Sequence, residues 1–322
     1  MSAKQIHFIV SAPRSGSTWL AQALNRHPQI FATEHRLFGD FCEMWPNNNG
    51  THSPRMTFDA YAKTMGTHYF HPETSDSRLG FIDDFISAYV EFLIEFAQKK
   101  SGKSIVFDKV TPYPGTCELV IQKIRQYFPA AKIVRLIRDG RDVATSGAFD
   151  WLLKDGKGTP RHDHFVAQQS DSRLDRFFDD AVLKKWAGHW AEVCDAVPAE
   201  AYDVAVKYED MLQDQATELM KILESVGADA DSDLQLAREC ATAVTFVEQA
   251  GREPGSLEPT AKMRNGTAGD WKNYFTRHDA ELFEGIAGEQ LRSTGYESDK
   301  AWPDKRNDKL ELEVALNRER AE

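Results

Sequence analysis

Eight residues near the start of the chain, Ser11-Ala12-Pro13-Arg14-Ser15-Gly16-Ser17-Thr18, collect groups suited to holding an anion. They supply hydroxyls, one guanidinium and a glycine whose backbone another group can approach closely. The apolar run Ile6, Phe8, Ile9, Val10 precedes them, and a helical pattern from Trp19 to Leu24, which must stop before Pro28, follows. In a loop between a strand and a helix N-terminus, bare backbone N–H groups and the helix dipole attract phosphate. Against the triphosphate-binding pattern GxxxxGK[ST], Gly16 and Thr18 fit, whereas Ser11 replaces the first glycine and Ser17 the lysine. The missing lysine argues against an ATPase or a kinase. Arg14 can supply the charge instead, bonding two phosphate oxygens through its planar fork.

Two later groups have the same character. Arg138 stands at the exit of the apolar run KIVRLI, and Ser146 lies in the helical pattern that follows, so both can reach an anion at the carboxyl edge of a sheet. Arg141, between them, reads as structural or solvated. Arg264-Asn265-Gly266-Thr267-Ala268-Gly269-Asp270 combines an arginine with glycines ahead of a helix expected to start near Thr276. Lys109, in FDKVTPY, sits at another strand exit and offers a further cation.

The elements that must position these residues follow from periodicity. Residues 6–10, 29–33, 104–109, 132–137 and 202–208 read as strands; 19–24, 118–127 and 212–226 read as helices. A βαβ order implies parallel pairing, so the expected fold is α/β: a central parallel sheet with helices on both faces. Residues 47–78 and 154–172 are rich in polar and turn-forming types and read as irregular insertions, of a length that is often functional. Trp186 and Trp190 share one helix face and belong to the core. Residues 304–322 alternate charges with Leu310, Leu312, Val314 and Leu316, giving a main domain over 1–303 and a charged terminal helix or tail.

Composition narrows the partners. A net charge of -11 argues against a broad grip on nucleic acid or anionic lipid, so any phosphate site must be local. The four cysteines form no CxxC pair, which suggests neither a zinc site nor a disulfide framework. The start is too short in apolar residues for a signal peptide, and no stretch approaches the ~18 residues of a membrane helix. The chain is expected to be soluble and cytoplasmic.

APRSGSTWL resembles the 5′-phosphosulfate loop, commonly PKSGTTW, of sulfotransferases that use 3′-phosphoadenosine 5′-phosphosulfate (PAPS). The 138–146 pair resembles that family's 3′-phosphate motif, and residues 264–276 resemble its RKGxxGDWKNxFT segment almost position for position. The resemblance implies a P-loop-type three-layer fold, sulfuryl transfer from PAPS with release of 3′,5′-phosphoadenosine (PAP), and an organic acceptor, whether small molecule, glycan or lipid. It implies that Arg14, Ser15, Gly16, Ser17 and Thr18 hold the 5′-phosphate, and that Arg138, Ser146, Arg264, Asn265 and Gly266 hold the 3′-phosphate. Trp19 and Phe246 would lie against adenine, and Lys109 would join Arg14 in stabilising the departing phosphate.

Two positions depart from the family pattern. Thr111 stands where many members carry a histidine base, and Asn265 where lysine is usual. The base then falls to Glu34, a glutamate whose pKa partial burial would raise, or to His35, with an intrinsic pKa near ~6.5. His162, His164 and His189 read as surface or structural. No metal is expected: the transferred group bears one negative charge, and no carboxylate cluster suggests Mg²⁺. Thr111 and Asn265 motivate a non-catalytic nucleotide-binding module as an alternative, and the partial GxxxxGK[ST] match a small-molecule kinase.

Overall fold

The computed structural model describes residues 5–33, 75–155, 176–228, 234–256 and 263–309. Five parallel strands form one sheet in the order β2-β3-β1-β4-β5, with β1 at Gln5–Val10, β2 at Ile30–Ala32, β3 at Ile105–Val110, β4 at Ile133–Ile137 and β5 at Val204–Lys207. β1 is central, with Ile9 beside Lys109 on one side and Phe8 beside Ile133 on the other. Phe8, Ile9 and Val10 are all buried, the unbroken apolar run of a strand covered on both faces.

Alternate residues feed two apolar layers. Ile9, Phe107, Leu136 and Val206 pack with helices α1 (Ser17–Arg26), α6 (Tyr208–Ser225) and α7 (Leu234–Thr242). Phe8, Val10, Val106 and Ile133 pack with α2 (Ser75–Ser101) and α3 (Cys117–Tyr127). The expected three-layer arrangement is therefore present. A third apolar cluster joins α4 (Gly140–Asp155), α5 (Asp180–Ala196) and α8 (Arg277–Ser293). Trp186 and Trp190 are buried there, their rings lying where side chains at Gly147 and Gly140 would otherwise stand. Such close approach brings α4 and α5 together over the sheet edge.

The chain runs from β1 to β2 on one side and returns through β3 before crossing to β4 on the other side. That reversal opens a crevice at the carboxyl ends of β1, β3 and β4, where ligands of such sheets bind. Boundaries differ from expectation in several places: Ser75–Arg78 belong to α2, Lys154 and Asp155 belong to α4, and Tyr208, expected to end a strand, opens α6. The boundary expected at 303 falls inside a short turn, Trp302–Lys305, whose Trp302 is buried against the third cluster. Residues 310–322 lie outside the described residues. Among the described residues no helix is long and apolar enough to cross a membrane.

Candidate functional site

The loop after β1 is strained into shape. Arg14 has φ 65, a left-handed conformation that an L side chain rarely adopts, and Gly16 follows with φ 90. Gly16 is the N-cap of α1 and no side chain caps it, so the first-turn amides of α1 face the crevice. A Cβ at Gly16 would stand 2.7 Å from the Tyr208 ring, which leaves room for glycine alone. Ser11 and Ser15 are buried, and each hydroxyl lacks a protein partner.

The Arg14 guanidinium reaches helix α4. Its Nε donates to Ser146 Oγ at 3.1 Å, and Nη1 sits 3.3 Å from Asp150 Oδ1, one turn further along α4. Burial pulls its pKa down, Asp150 opposes that, and the neighbouring charges of Arg138 and Arg264 add to the lowering. Arginines from three distant parts of the chain thus share one electrostatic neighbourhood. Lys109 stands at the other side of the loop, its Nζ donating to Thr18 Oγ1 at 2.9 Å.

Arg138 is 9% exposed. Its Nη1 donates to Arg14 O at 3.1 Å and its Nη2 to Thr267 O at 3.2 Å, while the guanidinium lies 4.3 Å over the Tyr208 ring. Burial works against its charge, but Tyr208, Asp142, Glu209 and Asp139 outweigh burial and raise the pKa. Trp190 Nε1 donates to Arg138 O at 3.0 Å, fixing the strand exit. Arg264, 7% exposed, is caged: it pairs with Asp270, Nη1 donates to Tyr274 Oη at 3.3 Å, and Phe149 lies 4.4 Å from its Cζ. The Nε of both Arg138 and Arg264 is buried without a protein partner. Buried donors of that kind normally find one.

Gly266, with φ 69, has the Phe246 ring seated where a side chain would be, and Arg252 lies 5.0 Å over the same ring. Asn265 Oδ1 is buried without a partner, and its backbone O accepts from Gly255 N at 2.8 Å. Trp19 Nε1 donates to Val244 O at 2.8 Å, and its ring meets Tyr208 edge-on at 5.8 Å. Arg141 is structural, held by Asp139 and Glu297 between Trp271 at 3.9 Å and Trp302 at 4.6 Å. His189 Nε2 bonds to Pro112 O at 2.8 Å, the structural role expected of it, and burial lowers its pKa. Glu34, His35, His162 and His164 lie outside the described residues, as does most of both insertions. Among the described residues no group of three or more His, Cys, Asp or Glu could hold a metal ion.

Sequence reasoning missed Tyr208, the shared floor under Gly16, Arg138 and Trp19, together with Phe149, Asp142 and Asp150. Their only signal was position: Tyr208 directly follows β5, and Asp142 and Asp150 flank Ser146 on α4.

Buried arginines gathered near the carboxyl edge of a five-stranded parallel sheet define an α/β protein of the P-loop-like class. The profile of the sulfotransferase family matches residues 7–232, and the chain belongs to that family. Rat sulfotransferase 2A6 is 31% identical over 173 residues, which make up 50% of this chain and 57% of that protein. Guinea pig 3-alpha-hydroxysteroid sulfotransferase is 26% identical over 219 residues, 62% of this chain and 69% of that one. The aligned part spans little more than half the length of the first of these relatives. In fold, the chain is similar to mouse sulfotransferase SULT7A1 complexed with PAP, with a TM-score of 0.50 at 18% identity over 94% of this chain and 89% of that one.

Proposed function

We propose that this chain transfers a sulfuryl group from PAPS to a hydroxyl or amine of an organic acceptor. The observation that carries the reading is the convergence of Arg14, Arg138 and Arg264 at one crevice. Each guanidinium already has a carboxylate beside it, Asp150, Asp142 or Asp270, so what asks for a ligand is the donors left over, and a nucleotide with phosphates at both ends of its ribose brings two acceptors. The residues suit that ligand. The buried Nε atoms of Arg138 and Arg264 lack partners, and Gly16 and Gly266 turn the backbone with positive φ where the Tyr208 and Phe246 rings pack against them.

In this reading Arg138, Ser146, Arg264, Asn265 and Gly266 hold the 3′-phosphate, and Arg14, Ser15, Gly16, Ser17 and Thr18 hold the 5′-phosphate. Trp19 and Phe246 flank adenine. Transfer is an in-line displacement: the acceptor oxygen bonds to sulfur, the bond from sulfur to the 5′-phosphate oxygen breaks, and the acceptor proton passes to a base. Lys109 and Arg14 offset the charge on the departing phosphate, an electrostatic effect of the kind that is typically worth ~10²–10³ in rate. Arg14 stays protonated throughout, so its part is charge stabilisation. Glu34 takes the acceptor proton, with His35 the second candidate, because Thr111 occupies the position of the common histidine base. No metal ion is required, and the cytoplasm is the proposed location. The names of relatives such as the guinea pig hydroxysteroid enzyme support a hydroxyl-bearing small molecule.

The test is incubation with PAPS carrying labelled sulfur and a panel of alcohols, phenols, amines and sugars. Labelled product and stoichiometric PAP are expected from the wild type, and about 10²–10³-fold more slowly from Arg14→Ala. PAP binding without turnover on any acceptor would favour a non-catalytic module, and stronger thermal stabilisation by Mg-ATP than by PAP would favour a kinase.

A further inference from the structure

Asp142 lies in the first turn of α4 and is 1% exposed. Its Oδ2 accepts a hydrogen bond from Gly269 N at 2.7 Å, and its Oδ1 accepts one from Trp271 N at 2.9 Å. The same Oδ2 lies 3.7 Å from Arg138 Nη2, which itself donates to Thr267 O at 3.2 Å. A closed circuit results: Arg138 to Asp142, Asp142 to the 269–271 backbone, and that segment back to Arg138 through Thr267. Arg264, Asn265 and Gly266 immediately precede the clamped stretch.

The chemistry of the circuit requires a carboxylate. Both oxygens face N–H donors, and an ionised carboxylate accepts at both. An amide of the same shape accepts at one and presents its own N–H groups at the other, so one backbone amide would lose its partner. Burial pushes the Asp142 pKa up to about 6, with Arg138 opposing, Asp139 adding to the rise, and the Trp271 and Gly269 amides opposing. The group is therefore ionised at pH 7.5.

The geometry points to Asp142 as a positioning residue that holds the 264–266 segment where it and Arg138 share one phosphate, and so sets the preference for a nucleotide bearing a 3′-phosphate. This rests on the donor reading above. It also makes a prediction opposite in sign to the simplest electrostatic view. A carboxylate near a bound phosphate repels it, so removing that charge would by itself strengthen binding. A positioning role requires the reverse.

Calorimetric titration at pH 7.5 with PAP and with 5′-AMP, which lacks the 3′-phosphate, separates the cases. The wild type is expected to prefer PAP, and equal affinities would overturn the donor reading together with this inference. Given that preference, Asp142→Asn is expected to cut it about tenfold or more while leaving the 5′-AMP affinity within about twofold, the scale of one or two charge-assisted bonds. A preference that is unchanged or larger in Asp142→Asn overturns the inference and leaves the donor reading standing. Should that variant fail to fold, amide hydrogen exchange on the wild type decides: PAP, and not 5′-AMP, is expected to slow exchange at Gly269 and Trp271. Equal slowing by the two nucleotides, or none, overturns it.

Discussion

The two ends of the crevice are built differently. At the end formed by Arg138 and Arg264, each guanidinium is buried and braced by the protein: Arg138 by Tyr208, Asp142 and two carbonyls, Arg264 by Asp270, Tyr274 and Phe149. At the end formed by residues 11–18, order comes from the backbone, through the left-handed Arg14 and Gly16, and the cations are less enclosed. The Arg14 side chain is 18% exposed and reaches across to Ser146 and Asp150. In the proposed assignment the first end is set in advance to anchor a phosphate, and the second keeps a cation that can be redirected. That division suits a reaction in which one phosphate stays bound while charge builds up on the other.

The contrast can be broken by exchanging which end is damaged. Arg14→Ala is expected to lower kcat by about 10²–10³-fold while PAP affinity changes less than about fivefold, by steady-state kinetics beside calorimetry. Arg138→Ala is expected to show its main effect in binding, with PAP affinity down about 100-fold, because a buried guanidinium making several charge-assisted bonds is lost. If Arg14→Ala abolished binding and Arg138→Ala spared it, the roles assigned to the two ends would be reversed.

Gly16→Ala probes the backbone side of the contrast. The φ of 90 and the Tyr208 ring 2.7 Å from the new Cβ are expected to cost about 1–3 kcal/mol in denaturant unfolding, and an unchanged midpoint would mean that the loop relaxes freely. Asp150→Asn is the mildest change. Removing the carboxylate paired with Arg14 is expected to raise PAP affinity about threefold, as befits a partly exposed ion pair, and a fall would mean that Asp150 helps the donor bind.

Much of this was legible before the fold was known. The strand-loop-helix unit, the arginine and serine on either side of a helix start and the Gly-rich segment before Thr276 each announce themselves by residue type over a few positions. The sheet was legible too, since Phe8, Ile9 and Val10 or Ile133 and Val134 are apolar without a break. What stayed hidden has meaning only through the fold. Tyr208 is an ordinary aromatic until β5 brings it under Gly16, and Asp142 is a helix-start acid until Gly269 and Trp271 arrive from far along the chain. Helix α2 was obscured for another reason. Along its second half buried Val90, Ile94 and Ala97 alternate with exposed Phe92 and Phe96, so no single stripe marks it.

A crystal structure with PAP addresses both ends in one map. The 3′-phosphate is expected within hydrogen-bonding distance of Arg138, Ser146 and Arg264, and the 5′-phosphate on the amides of residues 14–18, with the Arg14 guanidinium moved off Asp150 towards it. A nucleotide that touches only one of the two groups, or that binds away from the carboxyl edge of β1, would contradict the assignment.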